Sequence, residues 1–372
     1  MENNRSNLLI KNLLLYFLLL SIYLIGNFSF IEFEKLSFNV NFWIRDSYLL
    51  NYFDYGFLKR GLIGTLLGIR VSDVEIIRPD RLVSESFQNF INLISVIVIT
   101  ITITLYLIVL NKISNEYKKI LIILAISPFA FINFGYDAGR FDQFTIIYFL
   151  TFFIFLKNKN ITNYLIVISP FFLFVQETNL FLLSSFIFFY TYFFNRNVYL
   201  ISYLILANLL ILFILFFYGD ADYNNTNYIW PLHAYFDSSK TFIEKIFYWW
   251  ERLLIFNTTI IYRHFFAIIV FIIFNYLLIR KFEEINKIKK FISSTFIFYT
   301  IILIVAIDHA RYVSNYIFIM VLFIVVHLSE NKNIKLTIPS NYYYSILLAG
   351  PFGVTYSLPY LTILKKIILN ID

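Results

Sequence analysis

The feature that most constrains this chain is a succession of long apolar stretches, from near the N-terminus almost to the C-terminus. Crossing the hydrocarbon core of a bilayer takes roughly 20 apolar residues, and about 17 to 25 are tolerated. Stretches of this kind lie near 12–31, 90–110, 119–135, 142–157, 161–176, 178–195, 198–218, 262–280, 290–307 and 311–328. A weaker stretch at 341–361 contains two glycines and two prolines, and either crosses the membrane or enters and returns. The sequence therefore predicts an all-α fold, a polytopic transmembrane bundle of ten or eleven helices.

Composition agrees with a membrane protein and excludes several classes of function. Of the residues, 60% are hydrophobic and only 14% are charged, whereas a soluble domain carries about 25% charged residues. The net charge of +7 lies in short loops between apolar stretches and not on one patch, so we expect no nucleic-acid partner. The absence of cysteine excludes disulfides and thiolate chemistry. The four histidines show no metal-ligand spacing, so no cofactor is indicated, and a role for a divalent metal stays open.

The distribution of basic residues predicts the orientation of the chain in the membrane. Six short loops contain 15 Lys and Arg residues, and three short loops on the opposite side contain two. Short cytoplasmic loops carry such an excess, so we expect a multi-pass protein of the bacterial cytoplasmic membrane with a cytoplasmic N-terminus. The first apolar stretch lacks a small-residue cleavage site and is predicted to be retained. The whole chain, 1–372, is then one integral membrane domain with two long outer loops, 32–89 and 219–263, which contain interfacial helices.

Ionisable residues lie in the short outer turns, within the apolar phrases FINFGYDAGRFDQF, FLFVQETNLF and VAIDHARYVSNY. They are Asp137, Arg140, Asp142, Glu177, Asp308, His309 and Arg311. Charges within a membrane are costly, about 2.5–3.5 kcal/mol at a helix centre, and they usually pair or line a wet cavity. We expect the three turns to converge on a polar pocket that binds substrate. Local ion pairs are the alternative for Asp137–Arg140 and Asp308–Arg311, which are spaced three residues apart.

The first outer loop contains the densest group of charges, in the phrase RDSYLLNYFDYGFLKRG. Lys59 and Arg60 precede two glycines, and two cations beside a flexible backbone suit the oxygens of a lipid phosphate. Asp54 or Asp46 suits a general base that activates an acceptor hydroxyl. Aromatic residues beside carboxylates suit a sugar ring, whose C–H face stacks on aromatic rings.

Simpler explanations stand beside these interpretations. Lys59 and Arg60 would also anchor an interfacial helix to lipid headgroups. His309 fits a hydrogen-bonded turn residue better than a ligand. Asp220 and Asp222 form the D-x-D pattern of metal sites in nucleotide-sugar enzymes, but we expect them outside, away from cytoplasmic nucleotides.

The layout resembles the GT-C class of membrane glycosyltransferases, in which one helix precedes a long acidic outer loop and a bundle with charged outer turns. The phrases YFDYGFLKRGLIGTLL, GYDAGRFD, QETNLFLLSS and DHARY are similar to multi-pass proteins of bacterial surface-polysaccharide loci, including O-antigen and capsule polymerases of the Wzy type. The resemblance implies transfer from an undecaprenyl-linked sugar donor to a glycan acceptor, within membrane lipid and in complex with other polysaccharide-assembly proteins. The outer loop 219–263 matches the arginine-rich loop of several Wzy proteins only partly.

The resemblance also implies roles for individual residues. Asp46 and Asp54 correspond to the acidic pair of the first outer loop, and one of them would be the base. The remaining roles would be a phosphate clamp of Lys59, Arg60 and Arg140, hydroxyl-orienting acids Glu177 and Asp308, and a leaving-group cation, Arg311.

Two other functions remain open on sequence grounds. A flippase or transporter of lipid-linked sugars typically has internal repeats and a polar route through the bilayer. The chain shows no convincing repeat, and the inner halves of its apolar stretches lack charges. A non-catalytic membrane assembly protein would not account for acids and bases at three outer turns.

Overall fold

A computed structural model describes residues 2–28, 40–55, 60–70, 84–127, 129–176, 178–218, 258–282, 285–305 and 309–330. Within these ranges the chain is mostly helical and contains no strand. Several sequence predictions concern positions outside the described residues: the stretch 341–361, most of the second outer loop, Lys59, Glu177 and Asp308.

The described residues form fourteen α-helices. They are α1 (Glu2–Phe28), α2 (Phe42–Ser47), α3 (Tyr52–Tyr55), α4 (Gly61–Leu66), α5 (Glu85–Lys112), α6 (Asn115–Ile126), α7 (Phe131–Tyr136), α8 (Asp142–Ile154), α9 (Lys159–Ile168), α10 (Ser185–Tyr190), α11 (Val198–Tyr218), α12 (Thr258–Lys281), α13 (Asn286–Val305) and α14 (His309–Glu330). A 3₁₀ helix, Ser169–Leu173, follows α9, and π-helical segments, Leu180–Ser184 and Thr191–Asn195, flank α10.

Five helical stretches in the described ranges are long and apolar enough to cross a membrane. They are Leu9–Asn27, Glu85–Lys112, Asn115–Tyr136, Val198–Leu215 and His309–Glu330. Two shorter apolar helices, Asp142–Ile154 and Leu180–Asn195, accompany them. The length and composition of these helices indicate a membrane protein, and its described part is all-α. A helix suits this environment because it satisfies its own backbone hydrogen bonds.

The predicted span 119–135 is divided into two helices. Pro128 lies in sequence between α6 and α7, and a proline lacks the N–H that a continuing helix needs. The Ser127 hydroxyl donates to the Leu124 carbonyl at 2.6 Å, which satisfies one of the last acceptors of α6. The break separates a short helix, α7, which leads directly into the turn at Asp137.

The predicted spans 161–176 and 178–195 are also irregular. Helix α9 ends at Ile168 and tightens into a 3₁₀ turn at Pro170, where the missing N–H interrupts the α-helical pattern. In the next segment, hydroxyls bond to carbonyls one turn earlier: Ser185 donates to Phe181, and Thr191 donates to Ile187 at 2.7 Å. Such bonds satisfy polar side chains within an apolar segment.

Helix α14 occupies the centre of the bundle. Within its most apolar window 89% of the residues are buried, against 17% for the windows of α1 and α11. It packs against α6, α8 and α12. The outer helices instead expose large apolar side chains such as Phe17 and Leu206, which a lipid environment accommodates.

Helices α1 and α7 approach each other closely through two glycines. A Cβ atom on Gly135 would lie 1.8 Å from the Tyr23 carbonyl oxygen, and one on Gly26 would lie 2.1 Å from the Ile132 oxygen. The Asn27 amide donates to the Gly135 carbonyl at 3.3 Å. Small residues permit such backbone contact between membrane helices, and here they place α7 directly against α1.

Several basic loops meet at one end of the bundle. The Ser114 N–H donates to the Ser329 hydroxyl at 2.9 Å, and Lys157 Nζ lies 3.9 Å from Glu330 Oε1. Lys112 donates to the Ile154 carbonyl at 2.9 Å. We call this the basic end. The turn that follows α7 and the start of α14 lie at the other end of their helices.

Candidate functional site

Two turns at the end opposite the basic end bring four charged side chains together. Asp137 and Arg140 lie in the turn between α7 and α8, Asp142 begins α8, and Arg311 lies in the first turn of α14. We call Asp137, Arg140, Asp142 and Arg311 the charge cluster. Its members come from two of the three outer turns that the sequence analysis selected.

Asp142 links the two turns electrostatically. Its Oδ2 lies 3.3 Å from Arg311 Nε and 3.9 Å from Arg140 Nε. Arg140 also donates from Nη1 to Asp137 Oδ1 at 3.1 Å. Asp137 and Arg140 are thus a local pair, as the simpler explanation had it, but the pair extends through Asp142 to a helix more than 160 residues away in sequence.

The cluster is largely withdrawn from solvent. Relative exposures are 2% for Arg311, 5% for Asp137 and 9% for Asp142, whereas Arg140 is partly exposed. Removing charges from water costs several kcal/mol per ion unless partners compensate for the lost hydration. The alternation of two carboxylates with two guanidinium groups provides that compensation, and Arg140 remains the most accessible charge of the cluster.

Helix α13 supports the Arg311 turn. The Arg311 guanidinium lies over the Tyr312 ring, 4.4 Å from its centroid, and the Tyr299 hydroxyl donates to the Tyr312 carbonyl at 2.8 Å. A ring nitrogen of His309, Nε2, lies 2.6 Å from the Leu303 carbonyl oxygen, and the His309 side chain is buried. His309 therefore contacts the end of α13, as expected of a hydrogen-bonded turn residue.

Hydrogen bonds from Gln143 and close packing at Gly139 fix the turn at Asp137. The Gln143 amide donates to the Phe134 carbonyl at 2.8 Å and to the Asp137 carbonyl at 3.1 Å. Gly139 has a φ of +81°, in the left-handed region that favours glycine, and an added Cβ would contact Val40 and Ser95 at 3.3–3.5 Å. The turn is therefore a fixed structure between α5 and the first outer loop.

The first outer loop packs onto this same turn. The Tyr48 hydroxyl donates to the Gly139 carbonyl, and the Tyr48 ring meets Phe141 edge to face with 5.0 Å between centroids. Burial raises the pKa of Tyr48 well above its usual range, so the hydroxyl remains a donor. Helix α4 lies against the backbone of Tyr48 and Leu50, where a Cβ on Gly64 would approach their carbonyl oxygens to 2.5 and 2.2 Å.

The two acids of the first outer loop have different surroundings. Asp46 is buried, and its Oδ1 accepts from Arg45 at 2.8 Å, while Arg45 also donates to Gln88 at 3.0 Å. Asp54 is exposed, and its Oδ2 accepts from the Asn51 amide at 2.8 Å. Asp54 is thus accessible to an acceptor, whereas Asp46 pairs with Arg45, which connects this segment to the start of α5.

Two parts of the predicted site remain: Arg60, and the described residues on either side of position 177. Arg60 precedes α4 with a φ of 64° and is partly exposed. Beyond the position of Glu177, Asn179 Oδ1 accepts from the Thr145 hydroxyl at 2.9 Å, one turn after Asp142 on α8. Asn179 therefore contacts α8 one turn from the charge cluster. The positions of Lys59, Glu177 and Asp308 lie outside the described residues.

Four residues that support the Asp137 turn carry little signal in the sequence: Tyr23, Tyr48, Ser95 and Gln143. The Tyr23 hydroxyl on α1 and Ser95 Oγ on α5 are 3.1 Å apart, within hydrogen-bond distance. These residues are uncharged and lie in apolar helices or among many other aromatic residues, so only contacts between distant segments single them out. Gln143 alone offered a signal, because it follows Asp142 directly in an otherwise apolar helix.

In the described ranges, no three His, Asp or Glu side chains group as they would around a metal ion. No protein-family model matches the chain, and no curated protein or solved structure matches it either.

Proposed function

We propose that this protein transfers a sugar or oligosaccharide from an undecaprenyl-linked donor to a glycan acceptor during synthesis of a bacterial envelope polysaccharide. In this proposal the chain crosses the cytoplasmic membrane ten or eleven times, with the N-terminus and the basic end in the cytoplasm and the charge cluster facing outward. The enzyme is then a polymerase or a GT-C-like transferase.

The observation that carries the proposal is the contact of Asp142 with Arg311 and Arg140 at the end opposite the basic end. A lipid with a phosphate headgroup presents that group at the membrane rim, where the partly exposed Arg140 can bind it. When the bond between sugar and phosphate breaks, the undecaprenyl phosphate or diphosphate leaves as an anion, and fixed positive charge in a partly dry site stabilises such a leaving group. Arg311 and the two carboxylates hold the Arg140 guanidinium in a defined position before the donor binds.

The first outer loop supplies the acceptor side of the proposal. Asp54 is the preferred general base because it is exposed and its carboxylate orientation is set by Asn51. Asp46, buried beside Arg45, has the positioning role, because it holds the guanidinium that connects the loop to α5. Lys59 and Arg60 extend the phosphate clamp, while Glu177 and Asp308 orient substrate hydroxyls; these roles rest on the residue pattern of the sequence.

The test is genetic complementation in the bacterium that carries the gene. A deletion strain receives the wild type, Arg140→Gln, Arg140→Lys, Asp54→Asn or the control Lys157→Gln, which alters an exposed charge at the basic end. We expect short or absent surface polysaccharide with Arg140→Gln and Asp54→Asn, partial chain length with Arg140→Lys, and normal polymer with the control. Membrane insertion is checked by immunoblotting of membrane fractions.

The location of accumulated intermediates separates transfer from transport. A transferase defect leaves lipid-linked saccharides on the outer face of the membrane, whereas a flippase defect leaves them on the inner face. Normal polymer from inserted Arg140→Gln and Asp54→Asn proteins would refute the proposal, and inner-face accumulation would replace it with a flippase.

A further inference from the structure

Three buried carboxamide groups near the charge cluster have acceptor oxygens with no hydrogen-bond partner among the described residues: Asn133 Oδ1, Gln143 Oε1 and Gln176 Oε1. The Gln143 amide already bonds to the Phe134 and Asp137 carbonyls, which leaves Asn133 and Gln176, whose side chains are 3% and 2% exposed. Most buried polar atoms in proteins have a partner, and leaving one without a partner costs free energy. An unpaired acceptor next to a charge cluster is therefore suited to a donor from outside the chain.

Both acceptors flank the charge cluster. Asn133 lies one turn before Asp137 on α7, and its carbonyl accepts the Asp137 N–H at 3.1 Å. Gln176 belongs to the third outer turn, where its carbonyl accepts the Asn179 N–H at 3.0 Å. Asn179 in turn contacts Thr145, which lies one turn beyond Asp142.

The residue next to Gln176 also connects this turn to the outer loop. Val175 belongs to the same apolar cluster as Tyr48 and Phe141, the two residues that cover the Asp137 turn. The two acceptors therefore approach the cluster from α7 on one side and from the third outer turn on the other. Because neither is charged, their partner needs hydrogen-bond donors and no formal charge.

The charges of the cluster exclude other classes of partner. Among the described residues a metal cation would find no net negative charge at the cluster, because Arg140 and Arg311 balance Asp137 and Asp142. An anion suits Arg140 but not a carboxamide oxygen, which only accepts hydrogen bonds. Hydroxyl groups donate to such oxygens, and a sugar attached to a phosphate brings both chemistries to one place.

We infer that Asn133 and Gln176 form a hydroxyl-recognising subsite that binds the sugar next to the phosphate of the donor. This inference rests on the proposed function and adds to it: Arg140 binds the phosphate, and the two carboxamides select a polyhydroxylated group over a bare lipid phosphate. Sites that hydrogen-bond a substrate hydroxyl discriminate strongly against ligands that lack it, because the buried acceptor is then left unpaired.

The test compares two lipids on the full-length protein in nanodiscs. The first probe is undecaprenyl phosphate, and the second is the lipid-linked saccharide fraction extracted from membranes of the bacterium that carries the gene. Equilibrium binding is measured for the wild type, Gln176→Met and Asn133→Leu. The matched control is Asn208→Leu, because Asn208 Oδ1 in the peripheral helix α11 is likewise buried without a partner.

We expect the wild type to bind the saccharide-bearing lipid about a hundredfold more tightly than undecaprenyl phosphate, since each of the two hydrogen bonds is worth about tenfold. Gln176→Met and Asn133→Leu should each reduce this difference about tenfold and leave the affinity for undecaprenyl phosphate within about twofold. Asn208→Leu should leave both affinities unchanged. Thermal denaturation should show both site variants as stable as the wild type or more so, because an apolar group replaces an unpaired one.

The outcomes separate this inference from the proposed function. If the wild type binds both lipids equally, or if both site variants keep the discrimination, the subsite does not exist, while phosphate binding by Arg140 stands. If the wild type binds neither lipid, the proposed function fails as well. The two substitutions lie on different elements, so a folding defect in one leaves the other as a test.

Discussion

Replacing Asp142 by asparagine should destabilise the protein strongly. The substitution preserves the shape of the side chain and removes the negative charge that lies 3.3 Å from Arg311 Nε and 3.9 Å from Arg140 Nε. Arg311 is 2% exposed, so water cannot replace the lost carboxylate. The variant therefore retains a buried cation whose nearest described counter-charge has been removed.

The expected loss follows from the geometry. Two unit charges 3.3 Å apart interact with about 5 kcal/mol at an effective dielectric constant near 20. Measured costs of breaking buried pairs are about 3–5 kcal/mol, and we expect Asp142→Asn to lower the free energy of unfolding by that amount. Arg311→Met should cost a similar amount. The double variant removes both charges, so its cost should fall below the sum of the single costs by about 2 kcal/mol.

The assay is reversible unfolding in mixed dodecyl maltoside and sodium dodecyl sulfate micelles, followed by circular dichroism. Glu330→Gln is the matched control, because it breaks a pair at the basic end with an N–O distance of 3.9 Å and side-chain exposures of 74% and 25%. Pairs of this kind are worth about 1 kcal/mol or less. Additive costs for Asp142→Asn and Arg311→Met, or a loss no larger than that of the control, would refute the electrostatic reasoning.

Three further predictions concern packing, the outer loop and pH. Gly135→Ala should lower the free energy of unfolding by about 3 kcal/mol in the same assay, because its Cβ would overlap the backbone of α1. The control Gly68→Ala, with open space and a φ of +68°, should lower it by about 1 kcal/mol. Equal losses would contradict the close contact between α1 and α7. Tyr48→Phe keeps the ring contact with Phe141 but loses the bond to the Gly139 carbonyl, so it should cost about 1–2 kcal/mol, and no loss would count against that bond. Burial raises the pKa of Tyr52 to about 12 from an ordinary value of 10, so its stabilising contribution is complete below pH 10 and is lost as the pH rises through 12. Stability measured across that range should therefore fall more steeply for the wild type than for Tyr52→Phe, and parallel curves would refute the assignment.

Helix α14 illustrates what hydrophobic patterning predicts well and what it does not. Its apolar stretch was predicted from sequence at 311–328, and the helix extends from His309 to Glu330. The pattern could not reveal that α14 is the central helix, because a helix surrounded by protein and one surrounded by lipid are equally apolar. For the same reason the apolar pattern predicts continuous spans at 119–135 and 161–176, where the structure has breaks near Pro128 and Pro170. The residues that flank each break are as apolar as the helices themselves.

For the candidate site, too, the sequence predicts some features and only the structure shows the others. Asp137, Arg140, Asp142 and Arg311 could be selected from sequence because each is a charge in an apolar phrase, where its cost signals a partner. Other features could not be predicted from the sequence, because each depends on segments far apart in it. These are the pairing of Asp142 with Arg311, the packing of Tyr48 over the turn, and the unpaired oxygens of Asn133 and Gln176.

The sequence by itself determined that this chain is a helical membrane protein and that its buried charges lie in a few turns between apolar helices. These properties follow from local composition, since each spanning segment must satisfy its backbone and hide its apolar surface on its own. Only the tertiary structure decided which turns meet, which helix occupies the centre and which polar atoms lack partners. Those outcomes depend on side-chain packing between distant segments, such as Gly135 against Tyr23, and no local pattern of residues specifies them.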